Sequence, residues 1–148
     1  MQELKVKLLA DLKSAMKDKD TIRKNAVTLV RAGILQIEKD KKIELDDEGI
    51  IEVISKQLKE RRDSLPDFEK AGREDLINAT NEEIKILLSY LPEQLSLGEL
   101  DEMIRESIER LSIESMKQMG ALMADLAPRI KGKADSKLVG EISRNLLK

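Results

Sequence analysis

Apolar residues recur at intervals of three and four along nearly the whole chain, a period that suits helices and that strands cannot satisfy. Leu4, Leu8, Leu12 and Met16 form one stripe of a first helix, which ends at about Lys17. Asp20 or Thr21 then offers a cap for a second helix, from Ile22 to about Lys41. Its inward positions are Ile22, Ala26, Leu29, Val30, Gly33, Ile34 and Ile37. A glycine inside a helix costs about 1 kcal/mol against alanine, so Gly33 predicts a close helix crossing. The third helix takes Asp46 as cap, Asp47 and Glu48 in its first turn, and Ile50, Ile51, Ile54 and Leu58 toward the core. Pro66 predicts a break or kink, with Ser64 capping a short segment that ends near Gly72. A further helix runs from about Arg73 to Leu91 on a stripe of Leu76, Thr80, Ile84, Leu87 and Leu91, and Pro92 ends it.

The stretch "YLPEQLSLGEL" reads as a domain boundary. Ser96 and Glu99 make a capping box for a helix carrying Leu100, Met103, Ile104, Ile108 and Leu111 inward. Ser115 with Gln118 repeats that pattern ahead of Met119, Leu122, Met123 and Leu126, and Asp135 caps a last helix with Leu138, Val139, Ile142 and Leu146 inward. The expected fold is therefore all-α, with a multihelical N-terminal domain over residues 1–92 and a small three-helix C-terminal domain over 93–148.

Composition narrows the chemistry. The chain has neither cysteine nor histidine, which removes thiol nucleophiles, imidazole bases and the soft metal ligands. Adjacent carboxylates such as Asp46 with Asp47, or Glu82 with Glu83, point in different directions on a helix and suit a solvated first turn better than acid–base or metal chemistry. No glycine-rich nucleotide loop occurs. No catalytic residue, metal or cofactor is expected. With 1% aromatic residues, stacking platforms for single-stranded bases are nearly absent. The amphipathic N-terminus does not have the form of a signal peptide, no apolar run spans a membrane, and a cytoplasmic location is expected.

Charge singles out the C-terminal end. Residues 93–114 carry seven acidic and two basic side chains, whereas 129–148 carry six basic and two acidic, although the net charge is only -2. Within "RIKGKADSK", Gly132 permits positive φ or close backbone approach, flanked by Lys131 and Lys133 at the start of a helix. Arg129, Lys137 and Arg144 add charge nearby. These residues suit a phosphodiester backbone; the same string also reads as a glycine C-cap followed by an Asp135 N-cap, with solvated lysines. Lys59, Arg61 and Arg62 form a secondary basic patch, or simply complement a helix C-terminus. Met116, Met119 and Met123 offer a soft groove for a partner helix, or core.

"KQLKERRDSL", "YLPEQLS" and "MKQMGALMADLAPRIKGKADS" together resemble the YqeY family, the stand-alone members of the GatB/YqeY domain family, over essentially the full length. In its other setting this domain is the tail of the GatB subunit of the glutamine-dependent aspartyl/glutamyl-tRNA amidotransferase. The resemblance implies contact with a tRNA body, read by shape, and places the family's loop on Lys131, Gly132, Lys133, Ala134 and Asp135. Ser136 departs from the family's glycine, and Pro66 lies where relatives more often continue the helix. The amidase and ATP-using parts of that enzyme have no counterpart here, so the family-level link to carbon–nitrogen ligase activity with glutamine as amido donor would need other subunits. The expectation is a non-catalytic tRNA-binding module, with an amidotransferase or an aminoacyl-tRNA synthetase as associated enzyme. The alternative is an adaptor docking on a translation enzyme.

Overall fold

The computed structural model describes residues 3–148, and among them every regular element is helical. The chain divides into two compact units, Met1–Leu91 and Pro92–Lys148, each with its own aliphatic core.

The first unit holds α1 (Glu3–Lys17), α2 (Thr21–Lys41), α3 (Asp47–Lys70) and α4 (Glu74–Leu88). Asp20 caps α2 by accepting from the Arg23 amide, and Asp46 caps α3 by accepting from Gly49. Val27, Val30 and Ile34 set the buried stripe of α2, meeting Ile50, Val53, Ile54 and Leu58 of α3 around Leu8 and Leu87. Leu29, expected inward, is 52% exposed, because at 100° per residue it lies about 130° round the helix from the centre of the Val27–Val30–Ile34 stripe, toward the far side. Gly33 does mark a close crossing. A Cβ there would fall 3.0 Å from both Gln57 Nε2 and Val53 Cγ1.

Two boundaries differ from expectation. α3 runs unbroken through Pro66 to Lys70, and Ser64 caps nothing; its hydroxyl donates instead to the Glu60 carbonyl one turn back. Proline removes one helical donor and crowds one carbonyl, a local cost that a long helix packed along α4 absorbs. The chain leaves the helix at Ala71 and Gly72, the latter with φ +64°. α4 ends at Leu88, three residues before the predicted Leu91. Its last carbonyls take short-range bonds from Tyr90 and Leu91, which turns the Tyr90 ring into the core. Burial, then the hydrogen bond to Asp11, pushes the Tyr90 phenol well above its ordinary pKa.

The second unit holds α5 (Leu97–Arg110), a single 3-10 turn (Met116–Gln118), α6 (Met119–Ile130) and α7 (Ser136–Leu146). Leu100, Ile104, Leu122, Leu126, Ile130 and Val139 meet at its centre. The Ser96–Glu99 capping box forms with both reciprocal bonds. The predicted Ser115–Gln118 box does not: the Ser115 side chain caps nothing, and Gln118 Oε1 accepts from the Glu114 amide at 2.7 Å. The local 3-10 turn takes up the residues that a regular first helical turn would have needed.

Candidate nucleic-acid interface

The basic loop is built as a double cap. α6 stops at Ile130, whose carbonyl accepts from the amides of Lys133 and Ala134 at 2.8 and 3.1 Å. Gly132 takes φ +73°, a conformation disfavoured for any residue with a Cβ. Asp135 Oδ1 then accepts from the Lys137 amide at 3.0 Å and opens α7, with Ser136 as the first helical residue. A serine at that position asks nothing unusual of the backbone, so the departure from glycine leaves the loop intact. Gly132 is buried, and its carbonyl accepts from Gln94 Nε2 at 2.7 Å. The Lys133 carbonyl accepts from the Leu95 amide at 2.9 Å. The backbone of the loop thus faces segment 92–96, while the side chains of Lys131 and Lys133 are on its exposed side. Gly132 and the half-buried Ala134 shape the loop, with Ala134 packed on the core.

The expected basic residues separate into two groups. Lys133, Lys137 and Arg144 are exposed and, among the described residues, none stands within 4.0 Å of an opposite charge. Lys137 and Arg144 are seven residues apart, so both project from one side of α7, about 10 Å apart along its axis. Arg129 belongs elsewhere. Its guanidinium donates to Glu106 Oε2 at 2.9 Å and to the fully buried Ser107 Oγ at 2.8 Å, and lies 3.5 Å from Asp125 Oδ2. Asp125 Oδ2 also accepts from Arg110 at 2.6 Å and from the Ser107 hydroxyl at 2.7 Å. Bonds from Arg110 and then Ser107 hold the Asp125 carboxyl below the usual carboxylate range, and Arg110 and Arg129 do the same for Glu106. The acidic surface of α5 is thereby stitched to α6, and Arg129 is committed within the unit.

The secondary patch on α3 is also divided. Arg61 has a side chain only 12% exposed, donates to Glu83 Oε2 at 3.0 Å and to the Gln57 carbonyl at 3.1 Å, and bolts α3 to α4. Lys59 is exposed and Arg62 half-buried. Because α3 continues to Lys70, the dipole at its C-terminus does not account for them. Of the methionines, Met119 and Met123 pack on the core of the second unit, and Met116 is 45% exposed. Among the described residues no three acidic side chains converge as a metal site would need, and no helix is long and apolar enough to cross a membrane.

Gln94 and the Ser107–Asp125 pair are not among the residues that the sequence singles out. Gln94 left a trace, since it lies inside the quoted "YLPEQLS". Ser107 and Asp125 left none, because only the packing of α5 on α6 joins them.

A profile of the family described as "Yqey-like protein" matches residues 5–147. A relative from Pyrenophora tritici-repentis, named "Altered inheritance of mitochondria protein 41, mitochondrial", is 32% identical over 138 residues, covering 91% of this chain and 76% of that protein. A protein of the same name from Kluyveromyces lactis is 39% identical over 88 residues, 56% of this chain and 45% of the relative. One from Saccharomyces cerevisiae is 28% identical over 135 residues, 88% of this chain and 69% of the relative.

Proposed function

The chain belongs to the YqeY family, and from that premise we propose that it is a non-catalytic module that binds tRNA through the basic side of its C-terminal unit. The observation that carries the reading is the set of exposed cations Lys133, Lys137 and Arg144, none ion-paired within the described residues, on a loop and helix whose backbone is already satisfied. Cations held this way exchange water and counterions for phosphate without first breaking a contact of their own. Lys131 shares the exposed side of that loop. The resemblance of the sequence to a domain family whose other setting is the GatB tail supplies the class of ligand by analogy, and the lack of base-stacking aromatics favours folded RNA read by shape over single strands.

The reading needs a compartment that contains tRNA. The cytoplasm expected from the sequence and the mitochondrion in the relatives' names each provide one. Any carbon–nitrogen ligase chemistry belongs to an associated enzyme, an amidotransferase or an aminoacyl-tRNA synthetase, to which this module would bring or hold the tRNA.

The test is a fluorescence titration against total deacylated tRNA and a duplex RNA of equal length, at low and at physiological salt. Saturable binding that prefers tRNA and weakens in a Lys131→Glu, Lys133→Glu double variant is the expected result. No binding at low salt would sink the reading and direct attention to a protein partner, sought by pull-down. Binding undiminished in the double variant would remove the loop from the interface.

A further inference from the structure

Lys133 is presented by a loop whose own bonds, from the Lys133 and Ala134 amides to the Ile130 carbonyl, tie it only to the end of α6, so something else must fix its outer course. Segment 92–96 does so with two consecutive residues. The Gln94 side-chain amide donates to the Pro92 carbonyl at 2.9 Å and to the Gly132 carbonyl at 2.7 Å. Next along the chain, the Leu95 amide donates to the Lys133 carbonyl at 2.9 Å. Each end of this clip is anchored. The Pro92 ring fixes its own φ, Leu95 packs against the core of the unit, and Ser96 is tied into the cap of α5. With the carbonyls of Gly132 and Lys133 drawn inward, the Lys133 side chain is left on the outer surface.

We infer that Gln94 is the positioning residue of the phosphate-binding loop, an uncharged side chain that sets where Lys133 meets the RNA backbone. The inference rests on the tRNA reading above. Its physical basis is preorganisation. A cation on a fixed loop meets phosphate without paying for the ordering of that loop, whereas a released loop pays it on every binding event. Gln94 lies outside the apolar core, so removing its amide frees the loop while leaving Leu100, Ile104, Leu122 and Leu126 in place.

Gln94→Met keeps length and bulk and deletes both donors. In the full chain it should retain its helical circular dichroism and speed hydrogen exchange at the Leu95 and Lys133 amides. Its tRNA binding should be about tenfold weaker, the effect of losing roughly one hydrogen bond's worth of order. A purely structural role would lower affinity regardless of what the loop carries. The decisive comparison therefore places Gln94→Met in a Lys131→Gln, Lys133→Gln background, where it should have almost no further effect. Losses that simply multiply would overturn the inference, as would wild-type affinity in Gln94→Met. If Gln94→Met does not fold, Gln94→Asn keeps the amide but shortens its reach and gives the same test. Failure of the wild type to bind tRNA overturns the tRNA reading and this inference with it; wild-type binding that Gln94→Met shares in full overturns this inference alone.

Discussion

At the scale of single residues, Asp125 shows how a charge is consumed by its own fold. It accepts from Arg110 and from the buried Ser107 hydroxyl, and Arg129 lies beside it, so three side chains on two helices depend on its ionised form. Its pKa lies below the ordinary aspartate value of about 4. The stability it contributes is therefore fully present above that ordinary value and is lost as pH falls through the lowered folded value. Asp125→Asn, which cannot ionise, should melt lower than wild type at neutral pH. It should also lose less on acidification, because one of the groups that responds to acid is gone. Thermal melts followed by circular dichroism at neutral pH and at about pH 3 check this; melting temperatures that fall in parallel would contradict it. The same network explains why Arg129 looked like part of the basic loop. Two residues from Lys131 in the chain, it is bonded across the helix pair, and nothing in the local sequence records that.

At the scale of elements, the most direct test concerns the proline inside α3. Pro66 lacks the amide that would bond to the Arg62 carbonyl, and it is exposed, so replacing it leaves no cavity in the core. Pro66→Ala should stabilise the chain by about 1–3 kcal/mol, the scale of the helix penalty for proline. Chemical denaturation would detect that, and a loss of stability would mean that the proline shapes a contact of the helix. What the sequence disclosed of these elements follows from the range of the forces involved. Asp20, Asp46, Ser96 and Asp135 each cap the helix expected of them, because a cap is a contact over two or three residues. Pro66 was misplaced because its outcome depends on the packing of α3 along α4, far away in sequence, whereas Ser115 and Leu29 were misplaced within local structure, by the 3-10 turn after Ser115 and by the angular position of Leu29 on α2. The loop was legible in the same partial sense: Gly132 and Asp135 announced a turn and a cap, but the clip from Gln94 closes across 38 residues.

At the scale of the molecule, and on the tRNA reading proposed above, the net charge of -2 conceals the basic end that an RNA partner would meet. Binding is governed by the cations that meet phosphate, and each one releases condensed counterions from the RNA. With Lys133, Lys137 and Arg144 as the core set, the logarithm of affinity should fall with the logarithm of salt concentration at a slope of about -2 to -3. Lys133→Gln should reduce that slope by about one. Arg129→Gln should leave the slope unchanged while lowering the melting temperature, since its charge is spent on Glu106 and Asp125. A reduced slope in Arg129→Gln would show that the internal network opens to the RNA and that the division of the basic residues drawn above is wrong. Across roughly pH 6 to 8 the slope itself should not change, because a chain with no histidine and no cysteine has no side chain whose ordinary pKa lies there. The unchanged phosphate charge over that range makes the titration a clean count of contacts: salt reports how many cations engage, and the variants report which.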